Sequence, residues 1–405
     1  MNDTVLYSSF EDSVVIALSP NPWDGEWMNR QQVLSRLARK VTVVYSTPAL
    51  THWELGSQSW RGARWFGGFD NRDGVWIDRL PRLFVRVPKW RFQSRLVDFL
   101  AAARLRRFAR RQGKSKVVLI VYRPEFVGYV RTIDPDILVY YAFDAYDTDQ
   151  YWTQFLSDSQ VFLLRAADLV IASSHAIADR LRITSRDGSE ISVLENGVDY
   201  SAFSSGSLGQ CPEDLAKIPH PRIGWTGRLN SKLDFLLLLS LAGANPSWSF
   251  VMVGPEVFYD PATARVVEEF KSLPNVYFLG AKHHSELPGY VASMDVNIMS
   301  YVVDEDQWSY YGFPLKLHEY LAAGKPVVSA DLPSVREYSS VIAIAKSQEE
   351  WQQCLLEAID SGGVGDTDAR RNVARLNDWN LRVEYFLAML SSISESDDTS
   401  RDAAE

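Results

Sequence analysis

The sequence predicts an α/β fold of two Rossmann-like, doubly wound parallel-sheet domains with a cleft between them. Three observations predict it. Short apolar or β-branched runs alternate with longer helix-like stretches. The alternation lapses over 201–221, SAFSSGSLGQCPEDLAKIPHP, a Ser-, Gly- and Pro-rich stretch that reads as a linker. It then restarts and continues beyond residue 350.

In the first half, Val14–Ser19 (VVIALS) reads as a strand leading into the loop PNPWDGEW. Gln31–Arg39 follows as a helix with Val33, Leu34, Leu37 and Ala38 on one face. Val41–Tyr45, Lys116–Tyr122, Ile137–Ala142, Leu169–Ser173 and Ile191–Leu194 read as the further strands. In the second half the strands are Arg222–Trp225, Phe250–Val253, Val276–Leu279, Val296–Met299 and Val327–Ser329. Helices are expected at Lys232–Ala242, Ala262–Leu273, Leu287–Met294, Lys316–Ala323 and Gln348–Ile359. Neither half carries GxGxxG or GxxxxGK[ST], so a dinucleotide fingerprint and a P-loop are both absent.

Composition narrows the function. The 405 residues include two cysteines, Cys211 and Cys354, far apart and outside any Cys/His cluster, which argues against a zinc site and for a reducing compartment. The start has no basic segment ahead of an apolar one, and no 18 apolar residues run together, so neither a signal peptide nor a membrane span is expected. A formal net charge of −9 argues against nucleic acid as a partner.

The most informative stretch is 312–338, GFPLKLHEYLAAGKPVVSADLPSVREY. Pro314 suits a first helical turn and Gly324 a C-terminal stop. Lys316 and Glu319 stand three apart, on one face near the helix start. Such a helix at the ends of parallel strands suits an anion, and a carboxylate there can accept hydrogen bonds from both hydroxyls of a ribose. The same spacing also fits a surface Lys–Glu pair.

This stretch resembles the donor-binding segment of GT-B glycosyltransferases, above all bacterial polysaccharide enzymes of the teichuronic-acid type. Other segments agree in order: Ala167–Val170 with Ser174, Glu195-Asn-Gly-Val-Asp199, Ile223–Leu229 (IGWTGRL), Val251–Pro255 (VMVGP), Asn275–Gly280 and Asp295–Ser300. The resemblance implies the GT-B fold, with an acceptor- and membrane-facing domain over 1–203 and a nucleotide-sugar domain over 204–375. A helix over 376–392 would cross back, followed by a disordered acidic tail over 393–405. It implies that Arg228 and Lys232 contact the donor diphosphate, where fixed cations stabilise the charge that grows as the C1–O bond breaks. It further implies donor contacts from Gly25, Gly227, Gly254, Tyr311, Pro314, Lys316 and Leu317, with Glu319 holding the ribose. The donor is a UDP- or GDP-linked sugar, with no obligatory metal. Asp147-Thr-Asp149, a DxD triplet, reads as a helix start. Two departures stand out. The Arg228–Lys232 spacing is one residue short of the usual form. Tyr311 stands eight positions before Glu319, where retaining relatives have a second glutamate.

An inverting transfer needs a general base on the acceptor side. The run Tyr140–Asp147 follows a strand and resembles the family's YDxxDD-like segment, which makes Asp144 the first candidate and Tyr141 a neighbour. Asp24 is the next catalytic candidate, with Glu26 beside it in the loop after the first strand. Arg30, in the family's WxxRxQ pattern, and His175, at a helix start, complete the acceptor-side set. His318 reads as a packing residue.

Residues 79–116 contain 13 Lys or Arg and one acid, leaving 29 basic and 50 acidic residues elsewhere. Cations alternate there with Leu83, Phe84, Trp90 and Phe92, and a helix follows with Leu96, Phe99, Leu100 and Ala103 on one face. Trp53, Trp60, Trp65 and Trp76 precede it. Trp90, Arg91, Arg106, Arg107, Arg110 and Arg111 are therefore candidates for contact with an anionic membrane surface. The expected function is sugar transfer to a glycan or lipid-diphosphate-linked acceptor, in cell-surface polysaccharide synthesis, peripheral on the cytoplasmic face of the membrane. A nucleotide-sugar epimerase and a catalytically altered scaffold are the rival readings.

Overall fold

The computed structural model describes residues 10, 12–25, 27–149, 151–185, 190–205, 209–258 and 260–402, with side chains as far as 393. The chain divides into two compact units, residues 1–143, 150–194 and 382–405 forming the first, 144–149 and 195–381 the second.

The first unit carries β1 (Ser13–Leu18), β2 (Thr42–Ser46), β3 (Leu50–Thr51), β4 (Gly68–Arg72), β5 (Val75–Arg79), β6 (Val85–Arg86), β7 (Lys116–Val121), β8 (Ile137–Ala142), β9 (Leu169–Ala172) and β10 (Ser192–Val193). Its main sheet runs β10-β9-β8-β7-β1-β2-β5-β4. All pairings are parallel except β4 with β5, which Asp73 and Gly74 join as a tight turn with positive φ at both residues. Strands β1 and β8 are buried along their whole length, which is why they read as unbroken apolar runs. The helix Arg91–Arg111 buries Val97, Ala101, Ala102, Leu105 and Ala109. The face carrying Leu96, Phe99 and Leu100 is exposed.

The second unit carries β11 (Arg222–Thr226), β12 (Ser249–Val253), β13 (Val276–Gly280), β14 (Val296–Met299), β15 (Val327–Ala330) and β16 (Ala343–Ala345). They form a wholly parallel sheet, β13-β12-β11-β14-β15-β16. The chain leaves β11 first toward β12 and β13, then returns to its other side with β14. The switch point is thus at the C-terminal ends of β11 and β14, the place where open α/β sheets bind ligands.

Several expected elements shift. The stretch 201–221 holds helices Tyr200–Ser205 and Glu213–Ala216, because Asp199 Oδ1 accepts from the Ala202 N–H and because Leu215 and Ile218 bury against Val251, Val253 and Met294. The helix expected from Lys232 starts at Phe235, capped by Asp234 Oδ1 accepting from the Leu237 N–H at 2.9 Å, so Lys232 lies on a loop. Glu195–Phe203 groups with the second unit, tied there by Asn196 donating to Phe313 O (2.7 Å) and Tyr338 donating to Glu195 (2.8 Å). The last helix runs from Trp379 to Asp402, into the segment expected to be a disordered tail. Among the described residues no helix is long and apolar enough to cross a membrane.

Candidate active site

The site in the second unit starts from two glycines. Gly227 (φ +122°) ends β11 and Gly254 (φ +152°) ends β12, both in a region that L side chains rarely adopt. Gly227 N–H donates to Val253 O (2.8 Å) and Gly254 N–H to Gly280 O (2.9 Å), so the two loops pack backbone against backbone. A Cβ on Gly254 would collide with Gly227 O.

The helix Leu315–Ala322 is fastened to the same point. Tyr320 Oη accepts from Thr226 N–H at 3.0 Å and lies 3.2 Å from Thr226 Oγ1. Pro314 is the N-cap residue, and Gly324 (φ +75°) ends the helix. One turn N-terminal to Tyr320, buried Lys316 lays its ammonium over the Trp225 ring, 4.5 Å from the centroid. A Cβ on Gly227 would stand 2.6 Å from that Nζ. Lys232 reaches the same ring from the loop, its Nζ 6.0 Å from Trp225, 5.7 Å from Tyr301 and 5.9 Å from Trp308. Two ammonium groups thus converge on one indole at the strand end. Arg228, next along, is exposed.

Glu319 lies partly buried on the Lys316 face. Burial raises its carboxyl to about 7, opposed by the Lys316 charge. Leu317 is fully buried and holds the helix down. His318 is also fully buried, stacked on Phe313 (5.2 Å) and edge-on to Tyr338 (5.3 Å), as a packing residue should be. Tyr311 ends the short helix Trp308–Tyr311, its ring 5.1 Å from Tyr310.

The first-unit candidates are scattered. Asp24 is half-exposed and ion-paired with Arg79 (2.6 Å) and Arg72 (3.7 Å). Gly25 has an ordinary φ, and a Cβ there would meet Pro22 O at 3.3 Å, so the backbone does not demand glycine. Glu26 lies outside the described residues. Arg30 is enclosed. It is only 1% exposed, with its guanidinium 4.2 Å from the Phe143 ring centroid. Tyr141 is enclosed as well, donating to Leu194 O (3.0 Å) and accepting from Asn29 Nδ2 (3.1 Å), and burial pushes it up to about 12. Asp144 opens the six-residue segment that groups with the second unit, and its carbonyl accepts from Tyr146 N–H (3.0 Å). His175 is exposed as the first residue of its helix, beside Ser174, whose Oγ accepts from Ile177 N–H.

Sequence reasoning missed Trp225, Thr226 and Tyr320, which position the two lysines. The signal available was a tryptophan inside IGWTG at the end of a buried strand.

Residues 220–361 match the family model described as glycosyl transferases group 1. The chain is 30% identical over 233 residues to a Bacillus subtilis (strain 168) protein, TuaH, named for a glycosyltransferase role in teichuronic acid biosynthesis; the match spans 56% of this chain and 57% of that one, little more than half of each. Two solved structures superpose over nearly the whole chain. The Anabaena protein HepE, in complex with UDP and glucose, has a TM-score of 0.68 at 14% identity, covering 94% of this chain and 99% of that chain. An α,α-trehalose 6-phosphate synthase from Burkholderia multivorans has a TM-score of 0.66 at 12% identity, covering 96% of this chain and 98% of that chain. The chain therefore has the GT-B fold, and its second unit resembles the group 1 glycosyl transferases.

Proposed function

We propose that this chain is a glycosyltransferase that moves a sugar from a nucleoside diphosphate donor to a glycan or lipid-diphosphate-linked acceptor in bacterial cell-surface polysaccharide synthesis. The observation that carries this is the Lys316 ammonium set against Gly227 at the end of β11, with Glu319 one turn further along the same helix. A diphosphate at that switch point meets Lys316 and Lys232, with exposed Arg228 next in sequence to Gly227. These cations stabilise the leaving diphosphate as the glycosidic bond breaks, so the reading needs no metal. Glu319, ionised, takes the two ribose hydroxyls. UDP is the preferred nucleotide, since the structural neighbour HepE holds UDP.

Acceptor activation falls to Asp24 or Asp144. Asp24 is the better placed for proton transfer by exposure, while Arg79 fixes its direction. Calorimetry with UDP and GDP, on wild type and on Lys316→Ala and Glu319→Ala, tests the donor reading. Binding of neither nucleotide refutes it.

The helix Arg91–Arg111 supports the membrane-attachment reading. At 100° per residue, Phe92, Leu96, Phe99 and Leu100 share one face with Arg107, Arg110 and Arg111. That face is apolar first and cationic after, and Phe92 is 83% exposed. Trp90, Leu83 and Phe66 are exposed near it in sequence, a composition suited to anionic lipid. Arg106 is held by Asp134 at 2.8 Å and contributes less. The rival scaffold reading draws on Tyr311 in place of a carboxylate. Turnover of UDP-sugar with acceptor removes it, and epimerisation of UDP-sugar without acceptor would favour an epimerase.

A further inference from the structure

The first unit encloses a cavity of about 800 Å³ whose lining includes Asp24, the candidate base, and its partner Arg79. It opens at the ends of β1, β2 and β5, and its volume falls in the range of small-molecule sites. Four arginines line it: Arg64, Arg79, Arg82 and Arg86.

Its acids are already engaged. Asp24 and Asp70 pair with Arg79 and Arg64. Asp78, wholly buried, takes Arg104 at 3.0 Å and the Ser46 hydroxyl at 3.0 Å. Glu54 accepts from Thr51 N–H and Oγ1, and Glu125 pairs with Arg123. Arg82 differs. Among the described residues it has no carboxylate partner. Its guanidinium lies 3.7 Å from the Trp60 ring centroid and 4.9 Å from that of Trp65, and its buried Nε has no hydrogen-bond partner. Indole stacking covers the face of a guanidinium and leaves its in-plane N–H groups for a planar or tetrahedral oxyanion. Trp65 is itself 60% exposed, an aromatic face beside that cation. Arg–Asp pairs along the remaining wall offer both donors and acceptors, the combination that sugar hydroxyls require.

We propose that this cavity binds a phosphorylated saccharide, with the phosphoryl group on Arg82 and the sugar against Trp65 and the Arg64–Asp70–Arg79 wall. On the glycosyltransferase reading, on which this assignment rests, the occupant is the acceptor. The phosphoryl group has two possible sources, a soluble sugar phosphate or a lipid-linked diphosphate.

Calorimetry on the full chain with the donor site saturated by UDP tests this, using glucose 1-phosphate, geranyl diphosphate and glucose as probes. At least one phosphorylated probe should bind tenfold or more tightly than glucose. Tighter binding of geranyl diphosphate identifies the lipid-linked source, and tighter binding of glucose 1-phosphate the soluble one. Arg82→Gln should abolish the preference and Arg82→Lys restore part of it, with the UDP affinity of both variants unchanged. Absence of binding by both phosphorylated probes, or an unaltered preference in Arg82→Gln, overturns the assignment. If UDP binds while the probes do not, the cavity proposal fails alone. If UDP itself does not bind, the glycosyltransferase reading fails.

Discussion

Lys316 and Gly227 occupy complementary space: the ammonium lies where the first side-chain carbon of any other residue at 227 would press, 2.6 Å away. The glycine therefore has two reasons to be there, its φ of +122° and its neighbour. Gly227→Ala should strain the loop and push Lys316 off the Trp225 ring. The expected result is a tenfold or greater loss of UDP affinity, with a Tm drop of a few degrees, about 1–2 kcal/mol. Calorimetry and thermal denaturation measure both.

Glu319 gives a pH signature. Its carboxyl is raised to about 7 in the folded chain, above the 4.5 of the unfolded chain. The folded state thus binds the extra proton between those values, so this contribution to stability is full below about pH 4.5 and fades as pH rises through 7. The loss is at most about 3 kcal/mol. Glu319→Gln should flatten that part of the Tm profile. UDP binding runs the other way: ribose hydroxyls prefer the carboxylate, so wild-type affinity should rise between pH 6 and 8 and that of Glu319→Gln should not.

The two lysines need not contribute equally. Lys316 is buried on a helix pinned by Tyr320, whereas Lys232 sits on a loop. Lys316→Ala should cost more UDP affinity than Lys232→Ala, by about tenfold against threefold. Tyr320→Phe, which removes the oxygen bonded to Thr226, should weaken binding through Lys316 position and be measurable as a rise in donor KM.

Because protein cations neutralise the diphosphate in this account, chelation should leave transfer unchanged within twofold. An EDTA-sensitive rate restored by magnesium would show that a metal shares the role.

For the membrane face, sedimentation with anionic vesicles should fall at least tenfold when Arg107, Arg110 and Arg111 become Glu, and fall again with salt. Equal binding to neutral vesicles would contradict the electrostatic part of the account.

The donor side was largely legible because its residues are contiguous: GFPLKLHEYLAAGKP holds the helix start, the cation, the carboxylate and the stop within fifteen residues. The links that make it a site were not, since Thr226 and Tyr320 meet across 94 positions. The acceptor side was less legible for the same reason. Asp24 finds Arg79 across 55 positions, and nothing local distinguishes a paired aspartate from a free one. Arg30 and Tyr141, expected on the acceptor side, are both enclosed, by packing that only the fold brings together. The helix Arg91–Arg111 reversed the usual expectation. Phe92, Leu96, Phe99 and Leu100 face out, while Val97 and Leu105 bury with alanines 101, 102 and 109, which let the helix approach the unit closely and contribute little to an apolar pattern.

The central claim is that Lys316, held against Gly227, binds the diphosphate of the donor. Calorimetric titration of UDP into wild type and Lys316→Ala tests it most directly. The account predicts one site per chain in the wild type and at least tenfold weaker binding in the variant, with the fold intact by circular dichroism. Equal UDP affinity in the two proteins would contradict it.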